Sequence, residues 1–352
     1  MADFLIRDFY MDNSKNIVAF GEIMLRLTPP DYTTITQARN FIANYGGGEA
    51  NVLVSLSHLG HNTEFVTKLP DNQLGDSALK HLKSHGVKTD NVARGGSNIG
   101  MYFVETGFGG RPSKVLYNRK YSSVTTIEPE DIDLDKVFSS CKWFHLSGIT
   151  LALGNHTRTF AYKCLEYCKK YNVTVSFDFN YRSKLWDSVE DARPYFKQVI
   201  PYVDVLFANH FDIEEILEIS LDKNLEDLIA KKVDLSKKLI AQTKIKYIFG
   251  TDRTVHTASD NSLSSYCINS NGEYKSQGPI RFSIYDRIGG GDAFASGVIH
   301  GLIKDFNNPE YALTFGLATS ILEHTLYGDV STLSEKEVED FIKTNGDASI
   351  QR

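Results

Sequence analysis

The chain has 352 residues, of which 41% are hydrophobic and 23% charged, and it carries a formal net charge of −6. That is enough apolar material for one large core or two ordinary ones. The mildly acidic balance lacks the basic stripe that phosphate-backbone binding requires, and the longest apolar runs, such as Ile17 to Phe20, fall far short of a membrane span, so neither nucleic acid nor membrane is an expected partner.

The opening MADFLIRDFYMDNSKN mixes acids with aromatics and has no continuous apolar core of the signal-peptide kind. Residues 1–15 are read as a mobile leader ahead of one domain over 16–347. Strands are predicted at Asn16–Phe20, Thr63–Thr67, Lys142–Leu146, Val173–Asp178, Val203–Ala208 and Ile245–Phe249. Amphipathic segments between them, Glu49–Leu59, Leu74–His85, His156–Tyr171, Val189–Ile200 and Phe211–Ile219, predict helices. In the first, Val52, Leu56 and Leu59 keep to one face and Gly60 supplies a stop. This alternation predicts an α/β fold, a mainly parallel central sheet flanked by helices on both sides. Two stretches, about 25–45 and 99–121, are β-prone and rich in Gly, Pro and aromatics. They are read as a small β-rich lid over the ligand edge of the sheet, two surface hairpins being the plainer alternative. The last third is read as mainly helical, with Gly291–Ile303, Pro309–Glu323 and Ser334–Ile342. Cys164 and Cys168 stand four apart in a helical pattern and share a buried face, and no zinc-ligand spacing follows Cys141 or Cys267. A reduced, cytoplasmic protein without disulfides is expected.

The most informative run is Asp286-Arg287-Ile288-Gly289-Gly290-Gly291-Asp292-Ala293-Phe294. Three consecutive glycines permit a backbone path that side chains would block, with N–H groups turned into one concavity. At a helix N-terminus those donors make an anion site, and Asp292 is held beside whatever it binds. Such an arrangement suits phosphoryl transfer, the donors bearing the charge of the migrating group and the carboxylate accepting the proton of the attacking hydroxyl. A tight loop with an ordinary N-cap would look the same in this segment alone. The run is neither a dinucleotide fingerprint nor a Walker loop.

Residues Asp286–Gly297 resemble the C-terminal signature of ribokinase-like (PfkB) sugar kinases, usually Asp-Thr-x-Gly-Ala-Gly-Asp-x-Phe, with Arg287 departing from the usual Thr or Ser. The resemblance implies a ribokinase-like fold, ATP and Mg²⁺ as cofactors, an anion hole from Gly289, Gly290 and Gly291, and Asp292 as catalytic base. Gly46-Gly47-Gly48-Glu49-Ala50-Asn51 resembles the family's N-terminal Gly-Gly-x-x-x-Asn element, which places Gly47 and Asn51 against the sugar.

Several matches resemble the 2-keto-3-deoxygluconate kinase branch: the glycine-run variant, Glu49, Tyr102, Tyr117-Asn118-Arg119, the Ser147-Gly148-Ile149 strand end and Tyr327-Gly328-Asp329. They imply that Tyr102, Tyr117, Arg119, Ile149 and Asp329 face the acceptor, with His145 a packed strand residue. Arg119 is the residue suited to a sugar-acid carboxylate. Asp178-Phe179-Asn180-Tyr181-Arg182 resembles Asp-x-Asn-x-Arg, implying Asn180 near the nucleotide phosphates and Arg182 near phosphate and substrate carboxylate. Asn209-His210-Phe211-Asp212 resembles Asn-x-x-Glu, an element that organises Mg²⁺-bound water. Asp212 is shorter than the usual Glu, and Glu214 or Glu215 are candidates to compensate. Gly250 occupies a strand-to-turn position near the nucleotide. The matches run in order from about residue 17 to 343. The expectation is an ATP-dependent sugar-acid kinase, forming oligomers through the lid. Its rivals are a kinase for a neutral sugar or nucleoside, a non-catalytic ligand-binding protein on the same fold and a nicotinamide dehydrogenase, against which the first strand lacks a following dinucleotide glycine pattern.

Overall fold

A computed structural model describes residues 14–222 and 224–344. Apart from Ser14 and Lys15, the predicted leader lies outside the described residues, as does 345–347 of the predicted domain. The chain enters with β1 (Asn16–Phe20), whose Ile17 and Ala19 point into one core while Val18 and Phe20 point into the other. Strands β2 (Met24–Thr28) and β3 (Ile42–Gly46) leave for a second sheet, and α1 (Gly48–His58) returns. Next come β4 (Thr63–Leu69), α2 (Gln73–Ser84) and the short β5 (Val92–Arg94), then β6 (Met101–Glu105) and β7 (Lys114–Asn118), which complete the second sheet.

The alternation resumes with α3 (Leu134–Ser139), β8 (Cys141–Ser147), α4 (Gly148–Ala152), α5 (Asn155–Tyr171), β9 (Thr174–Asp178), α6 (Val189–Val199) and β10 (Val205–Phe207). Helix α7 (Leu228–Ala241) leads to β11 (Tyr247–Thr257), β12 (Asp260–Asn269) and β13 (Tyr274–Ser283). Helices α8 (Gly290–Lys304), α9 (Pro309–Glu323) and α10 (Glu335–Thr344) close the fold.

The large sheet has nine strands in the order β13-β12-β11-β10-β9-β8-β1-β4-β5, parallel from β11 to β5, with β12 and β13 added antiparallel. Helices α1, α2, α8 and α9 pack into the core on one face, α3, α5, α6 and α7 into that on the other. Burial on both faces is why the central strands read as unbroken apolar runs. The second sheet, β3-β2-β6-β7, is antiparallel except for the β2–β6 pair. It gathers the two β-prone stretches into one four-stranded layer, not two separate hairpins. The four cysteines are buried and free, and no helix among the described residues is long and apolar enough to cross a membrane.

Four expectations need correction. The last third is not mainly helical at its start: Tyr247–Ser283 forms three antiparallel strands. The predicted strand at Ile245–Phe249 therefore continues to Thr257, and Gly250 lies within it, not at a turn. Phe211–Ile219 holds one wide helical turn, Asp212–Ile216, because a segment of that length offers few backbone bonds against the cost of nucleation. Helix α1 is buried all round from Glu49 to Leu56, not on one stripe, since α8 and the strands enclose it.

Candidate active site

A cavity of about 450 Å³ opens past the carboxyl ends of the parallel strands, the place where open α/β sheets bind ligands. Its floor comes from Glu22 after β1, Ile149 after β8, Asp178 and Asn180 at the end of β9, Ala208 and Asn209 after β10, and Gly250 in β11. Gly289–Asp292 forms one wall, and Tyr102, Tyr117 and Arg119 of the second sheet form another. Gly47, Asn51, Arg182, Asp212 and Asp329 also line it. Apart from Glu214 and Glu215, every site residue named from the sequence thus reaches one cavity.

The glycine turn is shaped by Gly289, which holds φ +101 as the N-cap of α8. A β-carbon there would lie 2.2 Å from the Asp329 carbonyl oxygen and 2.6 Å from Glu323 Oε1, so both conformation and space demand glycine. Behind the turn, Ser320 Oγ donates to the Gly290 carbonyl at 2.7 Å. The first N–H groups of α8 have no intrahelical acceptor and carry the positive end of the helix dipole. Asp292, partly exposed in the first turn, accepts from Asn51 Nδ2 at 2.7 Å, and Asn51 Oδ1 accepts the Gly47 N–H at 3.1 Å. One asparagine thereby ties the two glycine elements to the carboxylate. Burial pushes the Asp292 carboxyl up to about 8, against the Asn51 hydrogen bond and with Asp178, Glu49 and Asp329 adding repulsion.

On the opposite side, charges are closely paired. Arg26 of β2 is fully buried, its Nη2 2.5 Å from Asp286 and its Nη1 donating to Asp329. Tyr102 also donates its hydroxyl to Asp329. Asp329, expected to hold substrate hydroxyls, therefore has both oxygens engaged within the protein. Arg119 pairs with Glu22 and lies over the Tyr117 ring, which stacks on Tyr102. Its charge is matched by a carboxylate already present. Glu49 is buried, its Oε1 accepting from the Ser147 N–H at 3.0 Å, Ser147 Oγ at 2.8 Å and Thr150 Oγ1 at 2.6 Å. It pins the start of α1 to the end of β8.

At the far end, Asn180 adopts φ +38 and gives its N–H to Asp178 Oδ1 at 3.1 Å. Burial raises Asp178 to about 7, with Arg182 opposing. Asn209 and Asp212 cap each other: the Asn209 N–H meets Asp212 Oδ2 at 2.9 Å and the Asp212 N–H meets Asn209 Oδ1 at 3.1 Å. Neither Glu214 nor Glu215 lines the cavity; both are more exposed than Asp212. Among the described residues no group of three or more His, Cys, Asp or Glu is arranged to hold a metal ion. One carboxylate and one amide fit Mg²⁺, which keeps several waters and relies on substrate phosphates. His145 is a packed strand residue, its Nδ1 2.8 Å from Ser176 Oγ. Glu22, Arg26, Asp178 and Arg287 are charged wall or support residues that sequence reasoning did not assign. Two of them carry a signal in the sequence: Glu22, an acid directly following a buried strand and a glycine, and Arg287, a departure from the signature it stands in.

Residues 14–336 match the profile of the pfkB family carbohydrate kinases. The chain belongs to the PfkB family of carbohydrate kinases. This PfkB kinase is similar to the 2-dehydro-3-deoxygalactonokinase of Haloferax volcanii, 34% identical over 341 residues that cover 96% of this chain and 99% of that one. It is similar to the 5-dehydro-2-deoxygluconokinase of Clostridium perfringens at 27% identity over 336 residues, 93% of each. The crystal structure of 2-dehydro-3-deoxygluconokinase from Thermotoga maritima matches with a TM-score of 0.88 at 40% identity, covering 94% of this PfkB kinase and 99% of that chain. The activity is accordingly that of a carbohydrate kinase, a phosphotransferase.

Proposed function

We propose that this kinase moves the γ-phosphoryl group of ATP to the primary hydroxyl of a sugar acid, 2-keto-3-deoxygluconate foremost, giving the 6-phosphate and ADP. The observation that carries the reading is the Asn51–Asp292 bond beside the first N–H groups of α8. It puts an oriented base next to an anion-binding helix end in one cavity. Asp292 takes the hydroxyl proton as the oxygen attacks the γ-phosphorus, and the bond to the β-phosphate oxygen breaks to leave ADP. Gly289, Gly290 and Gly291 let backbone donors approach the charge that develops on the migrating group. Asn180 lies where the nucleotide phosphates would pass and Gly250 further along that wall. Asn209 and Asp212 would hold hydrated Mg²⁺, which neutralises phosphate charge. At the acceptor end, Gly47, Tyr102, Tyr117 and Ile149 shape the sugar pocket.

The relatives whose names specify 2-dehydro-3-deoxy sugar acids support this acceptor class. Replacing Asp292 with Asn should lower kcat by at least about 10²-fold while leaving nucleotide affinity nearly unchanged, measured by coupled ADP release and by titration. Turnover within a few-fold of the native rate would remove the base assignment. One observation favours a second reading: Glu22 already matches Arg119, so a neutral sugar meets no unbalanced charge at that point. Arg182, exposed at the cavity rim, is then the cation that distinguishes the two. Its replacement by Gln should penalise acid sugars far more than neutral ones in a substrate panel.

A further inference from the structure

Four arginines line or support the cavity, and they are not equivalent. Arg26 is paired with Asp286 and Asp329, and Arg119 with Glu22. Arg182 faces Asp178 and Asp212, whose carboxyls it draws down against their burial. Arg287 lines the same cavity half-buried, and among the described residues it has no carboxylate partner. It stands two residues before Gly289, at the position where the chain departs from the Thr or Ser of the signature it resembles.

The surroundings of Arg287 are cationic. On β11, beyond the cavity-lining Thr251, Arg253 donates to Asn261 Oδ1 at 3.2 Å and lies 2.9 Å from His324 Nε2. Burial and the charge of Arg287 both push Arg253 down, to about 10, and the two arginines add to the burial that lowers His324. The nearby acid Glu323 is fully buried, and burial favours its neutral form. A guanidinium in a half-enclosed wall without a counter-ion is costly unless an anion arrives to pair with it.

We infer that Arg287 is a phosphate-binding residue, its guanidinium reaching over the glycine turn to take oxygens of the nucleotide's terminal phosphates. A planar fork of donors matches two phosphate oxygens, and the cation adds to the N–H groups of α8 where negative charge concentrates during transfer. The inference rests on the kinase reading above and deepens its nucleotide side, independently of which acceptor is used.

The test titrates ATP and adenosine separately into the wild-type enzyme and into R287Q and R287K, with no acceptor present. R287Q should bind ATP about 10- to 100-fold more weakly, the loss of a charge-assisted bond, and adenosine as the wild type does. R287K should fall between, keeping the charge without the fork. Equal weakening for ATP and adenosine would reassign Arg287 to a structural role, and ATP affinity unchanged in R287Q would overturn the proposal. Thermal unfolding of each variant without nucleotide checks that the fold is kept. Because no sugar enters the titration, an error in the acceptor assignment leaves its outcome untouched.

Discussion

A carboxylate that acts as a base must be ionised when the hydroxyl arrives, and Asp292, the proposed base, is set close to that threshold. With its carboxyl raised to about 8 in the free protein, the proton-accepting form is the minor one at neutral pH. The quantity that reports ionisation of the free enzyme is kcat/KM. It should rise with pH through about 8 and level off above, and D178N, which removes a neighbouring acid that adds to the shift, should move the rising limb to lower pH. A profile flat between about pH 6 and pH 9 would exclude Asp292 as the titrating base. Glu49, more deeply buried, meets its burial differently: three donors converge on one oxygen, which fits a pin between elements and not the base role proposed for Asp292.

At the scale of elements, the second sheet is fastened to the glycine turn by a buried ion triad. Arg26 on β2 spans Asp286, which opens the turn, and Asp329, which lies beneath it. Removing one member of such a cluster leaves the others charged without compensation. R26M should therefore cost about 3–5 kcal/mol in urea unfolding; a loss under about 1 kcal/mol would show that the carboxylates are neutral without it. This fastening was not legible in the sequence, because Arg26 and Asp329 are 303 positions apart and Arg119 and Glu22 are 97 apart. No local pattern records such pairings. What was legible follows from local rules: strands buried on both faces read as apolar runs, α9 begins at Pro309 behind an Asn308 cap, and only glycine fits the turn at 289. Strands β12 and β13 escaped notice for the opposite reason. Buried Asn261 and Ser265 stand at inward positions where apolar residues would mark the alternation, on an edge of the sheet that packs a small cluster against α9.

For the whole molecule, the second sheet poses a question of what covers its outer face. Its inner face carries Arg26 and Tyr102 toward the cavity. In register on the other face, Ala43 pairs with Leu27, Leu27 with Phe103, and Phe103 with Leu116, one apolar row across all four strands. Leu116 is 58% exposed, and Phe41, 37% exposed, packs edge-on to Phe103. A row of this length, with open backbone edges at β3 and β7, is the kind of surface that isolated chains keep covered. We propose a second copy of the chain as the cover, the two sheets meeting face to face. Sedimentation should then give a dimer for the wild type and a monomer for L116E. Because the same strands carry Tyr102 and Tyr117, with Arg119 just past β7, to the cavity wall proposed to take the sugar, the monomeric variant should show a raised KM for the acceptor with nucleotide affinity preserved. A wild-type chain that sediments as a monomer, or an L116E chain that remains dimeric, would refute this assembly while leaving the chemistry at Asp292 unaffected.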